Sequence, residues 1–246
     1  MACQQNNWRC DNNNVDGWLS VGIKRFFNVM NVKSIEVERV DSLDSMSLED
    51  VSEYLEQNSE KHSIECRNWA DEFPYHPITA FAMAYSSRYL YVDFFVRGNY
   101  LRAVNWENNS PVYEDSCVEF FVKHPEDKEY WNFEFNCIGT INASRRLNRE
   151  QHTKLSDDVL DSIRRYASCG NRPFEEMEGL FPWSLTVAIP LDVINVDINN
   201  APVRLKGNLY KCGDKTSLPH FLSWAPIDAP KPDFHRPEFF GDIILK

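Results

Sequence analysis

The stretch that decides the fold runs from Ser116 to Ile138 and reads SCVEFFVKHPEDKEYWNFEFNCI. In its two ends, residues 117–122 and 131–138, side-chain polarity varies with a period of two residues, which is typical of strands with one buried face. Between them lies the polar sequence HPEDKE, whose proline and charged residues indicate a turn. The stretch therefore predicts a β-hairpin.

Alternation along these two strands separates their side chains into two faces. One face is apolar and consists of Val118, Phe120, Val122, Trp131, Phe133, Phe135 and Cys137. The other carries a polar row made of Glu119, Asn132, Glu134 and Asn136. This row is either the solvated outer face of a sheet or a concave surface for an uncharged, hydroxyl-rich ligand. The mixture of amides and carboxylates, with no lysine or arginine on the row, favours a ligand.

Further segments with a period of two lie on both sides of this hairpin. They are 78–85 and 89–96, which are predicted to pair, followed by 183–189, 203–210, 221–224 and 242–246. The motif SLED at 47–50 resembles a capping box and predicts a helix over 47–58, and 157–167 is predicted to be a surface helix. Many strands without βαβ alternation predict an all-β fold, an antiparallel β-sandwich with one or two short helices.

The chain divides into two parts by composition. Residues 1–34 are rich in asparagine at first and then weakly amphipathic, and we predict an N-terminal appendage there. From residue 35 the strand pattern takes over, so 35–246 is predicted to form one β-sandwich domain. The start of the sequence lacks the basic and apolar segments of a signal peptide, which leaves the compartment open.

Composition and charge narrow the classes of partner. The 246 residues are 43% hydrophobic and 13% aromatic, which is enough for a packed core. The formal net charge of −11 disfavours nucleic acids and anionic membranes as partners, because both require clustered lysine and arginine. No apolar run approaches the roughly 20 residues of a membrane span. The seven cysteines follow no metal-binding spacing, which predicts free thiols and disfavours structural zinc. The oligomeric state is left open.

The closing segment 211–241, KCGDKTSLPHFLSWAPIDAPKPDFHRPEFFG, contains five prolines and no regular period. It predicts a long, ordered, aromatic-rich loop leading into the last strand, and structured loops of this length are usually functional. Its candidate ligand-binding residues are His220, Trp224 and His235, and Trp106 in the polar sequence VNWENNSPV is a fourth candidate. A loop that only covers the core is the alternative.

Three motifs, in this order, resemble those of carbohydrate-binding module family 9. The run DSCVEFF at 115–121 is similar to the D-S-x-V-E-x-F signature, WSLTVAIP at 183–190 to the W-x-x-E-x-A-I-P strand, and PEFFG at 237–241 to the P-x-x-F-G ending. The likeness extends from about residue 69 to the C-terminus and is strongest to stand-alone bacterial members. It implies a β-sandwich that binds a mono- or oligosaccharide without catalysis.

Family members hold the sugar between two aromatic rings. By motif position the resemblance places these rings at Tyr113 and Phe234, where the family more typically has tryptophan. The polar contacts that it implies are Glu119, Glu134 and Lys211, and Asn136 lies on the same predicted row. The rings are expected to face each other across a shallow pocket, with the polar side chains on its floor or wall.

Two kinds of enzyme remain as alternatives. Glu119 and Glu134 are a candidate acid/base pair for a glycoside hydrolase, which needs two carboxyl groups about 5–10 Å apart. Cys212 with His220 or His235 is a candidate nucleophile and base. The absence of a second cluster of acidic residues in the sequence makes hydrolysis the less favoured function.

A cofactor-binding sandwich is the third alternative. Related sandwiches can hold haem through methionine and histidine, and Met83 lies on a predicted strand, although no histidine is paired with it at a recognisable spacing. No cofactor is expected, but the loop carboxylates of Asp214, Asp228 and Asp233 leave a calcium ion open.

Overall fold

The structure is a computed structural model that describes residues 32–246. This part of the chain forms two β-sheets that pack face to face. The strands in chain order are β1 Ser34–Val37, β2 His62–Ser63, β3 Ile78–Tyr85, β4 Tyr89–Ala103, β5 Cys117–Lys123, β6 Tyr130–Asn136, β7 Ile141–Arg146, β8 His152–Lys154, β9 Arg164–Ala167, β10 Phe174–Pro190, β11 Val203–Cys212, β12 Phe221–Ser223 and β13 Gly241–Leu245. The helices are α1 Leu48–Asn58 and α2 Asp157–Ser162, and short 3₁₀ turns cover Asp41–Ser45, Val112–Glu114, Ile198–Asn200 and Pro237–Phe239. The predicted all-β sandwich with short helices is confirmed.

The predicted hairpin lies at the centre of the first sheet. This sheet has the order β1-β13-β11-β5-β6-β7-β8, with β12 paired to β11, and the second sheet has the order β2-β3-β4-β10-β9. All of these pairings are antiparallel except that of β1 with β13, in which Ser34 lies opposite Asp242. Both β5 and β6 have a neighbour on each side, so their backbone groups are paired along both edges.

The apolar face of the hairpin points into the core between the sheets, as predicted. Val118, Phe120 and Phe133 are fully buried there, together with Leu185 and Val187 of the second sheet. Burial of one such side chain stabilises the fold by about 1.5–3 kcal/mol. Because successive side chains of a strand point to opposite sides, the polar row is left on the outer face of the first sheet.

Helix α1 covers the outer face of the second sheet. The Ser47 hydroxyl accepts a hydrogen bond from the Asp50 backbone N–H at 3.1 Å, which caps the first turn. Leu48, Val51 and Leu55 are buried against alanine and tyrosine side chains of β3, β4 and β10. The predicted helix over 47–58 is confirmed, with Ser47 as its N-cap residue.

Several elements differ from the prediction in extent or type. The helix predicted over 157–167 ends at Ser162, and residues 164–167 form β9 instead, which pairs with Leu185–Ala188 of β10. Strands β7 and β8 lie in segments without a predicted strand, and β4 and β10 are longer than their predicted segments. For β7, β8 and β9, pairing with the neighbouring strand overrides the local preference for helix or loop. The extra lengths of β4 and β10 pair with each other.

The start of the described chain joins the first sheet through β1, which begins at Ser34, the last residue of the predicted appendage. The rest of that prediction, residues 1–31, lies outside the described residues. None of the helices in residues 32–246 has the length and hydropathy of a membrane-spanning helix.

Candidate functional site

The polar row of β5 and β6 is buried beneath the closing loop. Asn132 and Asn136 are fully buried, and Glu119 and Glu134 are each 4% exposed. The interpretation of this row as a solvated sheet face is therefore wrong. The loop that follows β12 lies over the same side of the sheet, where Phe234 stacks on Tyr210 with 4.2 Å between ring centroids.

Hydrogen bonds and ring stacking hold this loop in place. The Tyr210 hydroxyl donates to the Phe234 carbonyl at 3.1 Å, and the Tyr130 hydroxyl lies 2.8 Å from Nδ1 of His235. The His235 ring stacks on Phe121 at 5.1 Å. Burial, together with nearby arginines, lowers the pKa of His235 to about 3, so its ring is neutral at physiological pH. The predicted ordered, aromatic-rich loop is confirmed.

A cavity of about 420 Å³ lies between the sheet and the loop. Its floor is provided by the sheet, through Glu119, Glu134, Asn142, Arg146 and Cys212. Its sides are formed by Tyr113 of the 3₁₀ turn before β5, Asp214 after β11, Phe221 at the start of β12, and Asp233, Phe234 and His235 of the closing loop. The volume lies within the usual range of about 300–1,000 Å³ for small-molecule sites.

Glu134 is the centre of a hydrogen-bond network on this floor. Its two carboxylate oxygens accept from the amide nitrogens of Asn132 and Asn142, each at 2.7 Å. Arg146 Nε donates in turn to the amide oxygen of Asn132 at 2.7 Å. Burial raises the pKa of Glu134 to about 7, although the bond from Asn142 and the charge of Arg146 act in the opposite direction.

Glu119 lies directly opposite Glu134 across the hairpin. Among the described residues its hydrogen-bond partners are two thiols, Cys212 Sγ at 3.2 Å and Cys117 Sγ at 4.0 Å from Oε1. Burial, and then the neighbouring Glu134 carboxylate, raise the pKa of Glu119 well above its ordinary value. The two carboxyl groups are therefore a coupled pair that disfavours double ionisation.

Residues 49–245 match the sequence profile of carbohydrate-binding family 9. The chain belongs to this family. It is 37% identical to a proposed carbohydrate-binding protein from Bacteroides uniformis, with a TM-score of 0.82 over 87% of this chain and 100% of that one. Two structures of a family 9 module from Caldicellulosiruptor kristjanssonii share the fold, and no curated protein matches the chain.

The similarity to these two structures is at the level of fold. The complex with cellotriose has 14% identity and a TM-score of 0.52 over 87% of this chain and 94% of that one. The complex with glucose has 16% identity and a TM-score of 0.50 over 87% of this chain and 96% of that one. The recognition of family 9 from ordered motifs is confirmed.

Arg146 lines the cavity of this family 9 protein, although the sequence pattern did not point to it. The polar row predicted on β5 and β6 contains no basic residue, and no strand is predicted over residues 141–146. In the sequence INASRR of β7 the polar residues Asn142, Ser144 and Arg146 alternate with Ile141 and Ala143, and this signal would have placed them on the floor. Arg146 is only 7% exposed, and within 32–246 no carboxylate forms a salt bridge with it.

Lys211 does not lie where the family resemblance placed it. On β11 it is opposite Val118 and so faces the core, whereas its neighbours Tyr210 and Cys212 face the cavity side of the sheet. Its ammonium group is buried and donates to Nε2 of His220 at 2.9 Å. The predicted place of Lys211 on the floor or wall between Tyr113 and Phe234 is therefore wrong, since strand alternation directs its side chain to the core. His220, which precedes β12, binds Lys211 and does not line the cavity either.

Three more candidates lie outside the cavity. Trp224 is 2% exposed and belongs to the core between the sheets. The Asn136 side chain donates to the Asn105 carbonyl at 2.6 Å and accepts from two backbone N–H groups, so it holds the turn after β6. Trp106 is 62% exposed and does not line the cavity. The structure does not bring these side chains to the floor.

The two aromatic residues inferred from the family do line one cavity. Tyr113 is 39% exposed and Phe234 is 8% exposed. Since one face of the Phe234 ring is covered by Tyr210, a ligand can reach only the rest of that ring. That the two rings face each other across a bound sugar stays a prediction.

The thiol and cofactor alternatives find no support in the contacts. Cys212 Sγ has Glu119 and the Tyr113 carbonyl as partners, while His220 binds Lys211 and His235 binds Tyr130. Cys212 thus lacks a histidine base among the described residues. Met83, the candidate haem ligand, is buried in the core.

The carboxylates named as calcium candidates do not cluster with one another. Within the described range, only Cys117, Glu119 and Cys212 bring three ligand atoms of His, Cys, Asp or Glu within 4.8 Å of one another. Asp214, Asp228 and Asp233 are therefore not a ready-made set of calcium ligands. Calcium binding by one of these loop carboxylates stays a prediction.

Proposed function

We propose that the cavity binds a mono- or oligosaccharide and that the protein does not act on it chemically. One observation carries this proposal: the floor offers buried polar groups beside aromatic rings. The amide oxygen of Asn142 is buried without a hydrogen-bond partner in the described chain, although its nitrogen is bonded to Glu134. A buried acceptor without a partner costs about 1–3 kcal/mol, and a sugar hydroxyl can supply the missing donor.

The aromatic sides of the cavity suit the apolar C–H surfaces of a sugar ring. A pyranose ring has apolar C–H surfaces and a rim of hydroxyl groups, and the rings of Tyr113 and Phe234 provide an apolar surface beside the polar floor. Structures with the same fold contain this type of ligand, since the Caldicellulosiruptor module was solved with cellotriose and with glucose. The ligand of this chain is proposed to be a carbohydrate of the same general class.

The two buried carboxyl groups fit a binding role better than hydrolysis. A retaining hydrolase needs one ionised carboxylate that is free to attack. Both oxygens of Glu134 are occupied by amides, and burial raises the pKa of both carboxyl groups. The amide contacts therefore leave no oxygen of Glu134 free for nucleophilic attack.

Calorimetry across a panel of neutral sugars that includes glucose and cellotriose tests the proposal. Tyr113→Ala should weaken binding about tenfold or more, because loss of a ring contact costs about 1 kcal/mol beyond the area that it buries, and 1.4 kcal/mol is a factor of ten. Trp106→Ala is the matched control, since this exposed ring lies outside the cavity. Equal losses in the two variants, or no binding to any sugar, would contradict the site.

A second assay addresses catalysis. The wild-type protein, incubated with xylan, β-glucan and pectin, should release no reducing sugar. Hydrolysis that disappears in Glu119→Gln or Glu134→Gln would show that the buried pair is catalytic.

A further inference from the structure

Two cysteines and a glutamate converge beside the cavity floor. Cys117 on β5 lies directly opposite Cys212 on β11, and Glu119 follows on the same face of β5. The two sulfur atoms and a carboxylate oxygen all lie within 4.8 Å of one another. The residues are 0%, 1% and 4% exposed, in the order Cys117, Cys212 and Glu119.

We propose that these three side chains form a binding site for a thiophilic divalent cation of the Zn²⁺ class. The ligands are Sγ of Cys117, Sγ of Cys212 and one carboxylate oxygen of Glu119. Cys212 and Glu119 also line the cavity, so the fourth coordination position is open to water or to a ligand hydroxyl there. Three protein ligands with one open position are a common arrangement for zinc.

The spacing of the donor atoms suits tetrahedral coordination. With Zn–S bonds of about 2.3 Å and Zn–O bonds of about 2.1 Å, neighbouring ligand atoms lie roughly 3.5–3.8 Å apart. In the protein, Glu119 Oε1 is 3.2 Å from Cys212 Sγ and 4.0 Å from Cys117 Sγ. Side-chain adjustments of a few tenths of an ångström are enough for these oxygen–sulfur pairs.

The donor types select the class of metal. Two sulfur ligands favour Zn²⁺ or Cd²⁺ over Ca²⁺ and Mg²⁺, which prefer sites made of oxygen atoms. Binding displaces the protons of both thiols, since the thiolate is the ligand. Glu134 opposite Glu119 and Asp214 beside the cavity add negative charge that favours a cation, whereas Arg146 and the buried Lys211 are nearby positive groups that oppose it.

Two explanations without a metal compete with this proposal. The thiols can serve only as hydrogen-bond donors to the Glu119 carboxyl group. Alternatively, Cys117 and Cys212 can be oxidised to a disulfide across β5 and β11, although both are free thiols in the structure. Each explanation predicts a different outcome when a metal ion is added to the reduced 246-residue protein.

Titration of the reduced protein with Cd²⁺ tests the site, because cadmium–thiolate bonds absorb in the near ultraviolet. We expect one cation per chain, competition by Zn²⁺ and no competition by Ca²⁺. Cys117→Ser and Cys212→Ser should each abolish the absorption band, and Glu119→Gln should weaken binding at least tenfold. Cys66→Ser is the matched control, because its thiol lies elsewhere and donates to the Trp224 carbonyl. A Cys3→Ser/Cys10→Ser double variant tests whether the absorption band comes from the two cysteines outside the described residues.

X-ray absorption of the zinc-loaded wild type provides a test that does not depend on a variant folding. Two sulfur ligands and one or two oxygen ligands would support the site. Failure of the reduced protein to bind Cd²⁺, binding that survives in the Cys117→Ser/Cys212→Ser variant, or a Cys117–Cys212 disulfide in the freshly purified protein would overturn it. No readout uses a sugar, so such a failure leaves the proposed carbohydrate binding intact.

Discussion

At the scale of single residues, the cavity depends on which face of a strand a side chain occupies. Arg146 and Lys211 are both buried cations on the first sheet, but Arg146 faces the cavity and Lys211 faces the core. Arg146 contacts the Glu134 network through Asn132, while Lys211 binds His220. A one-position shift along a strand therefore decides whether a charge can meet a ligand.

This difference yields a paired prediction. Arg146→Met should weaken sugar binding about tenfold or more, because the Asn132 amide oxygen loses its charged donor, worth about 1.5–3 kcal/mol, and the floor rearranges. Lys211→Met, of similar length, should leave sugar affinity within about twofold of wild type. Calorimetry measures both affinities, and thermal unfolding shows that both variants fold. Loss of binding in Lys211→Met alone would mean that the cavity described above is not the ligand site.

At the scale of elements, a glycine allows β13 to pack closely against the Trp224 side chain. A Cβ atom added to Gly241 would lie 2.5 Å from the Trp224 ring and 2.7 Å from the backbone oxygen of Lys33. The PEFFG motif thus ends in glycine because β13 and the indole approach closely at this point. The contact joins the closing loop, the last strand and the residue before β1.

We expect Gly241→Ala to destabilise the fold by roughly 1–3 kcal/mol, since overpacking forces either β13 or the indole to move. Denaturant unfolding measures this loss. Gly170→Ala is the comparison: nothing lies within 4 Å of its added Cβ, and its φ of +74° costs only about 1–2 kcal/mol of backbone strain. If Gly241→Ala moves β13, tryptophan fluorescence should change in that variant and not in Gly170→Ala.

At the scale of the whole molecule, each sheet has one face in the shared core and a second face covered by a different element. The closing loop covers the first sheet, and α1 covers the second. Under α1, the fully buried Asp93 accepts hydrogen bonds from Ser52 at 3.0 Å and Thr186 at 3.1 Å. Burial raises the pKa of Asp93 to about 7, despite these two donors.

The Asp93 carboxyl group makes global stability depend on pH. Because its pKa is higher in the folded than in the unfolded chain, the folded state holds an extra proton between about pH 4 and pH 7. Its contribution to the free energy of unfolding is therefore largest below pH 4 and is lost as the pH rises through 7, by a few kcal/mol at about 1.4 kcal/mol per pKa unit. Asp93→Asn should flatten this fall, measured by urea unfolding at several pH values. An unchanged slope in Asp93→Asn, equal to that of the exposed control Asp161→Asn, would contradict the assignment.

Local patterns in the chain are enough to define the hairpin, its two faces and helix α1. A strand alternates its side chains at every residue, and the Ser47 cap marks where a helix starts. Alternation alone therefore places Glu119 and Glu134 on one face. The order of motifs also identifies the family, and the resemblance predicts ring contacts at Tyr113 and Phe234.

Which residues complete the cavity depends instead on tertiary contacts. The polar row is buried by a loop about a hundred residues further along the chain, and Arg146 reaches the floor only because β7 pairs with β6. The Lys211 side chain faces the core instead of the cavity because the register of β11 is set by β5 and β13. Cys117 and Cys212 meet for the same reason. Contacts between strands distant in sequence arise from pairing and packing of the whole sheet, and no local pattern in the chain encodes them.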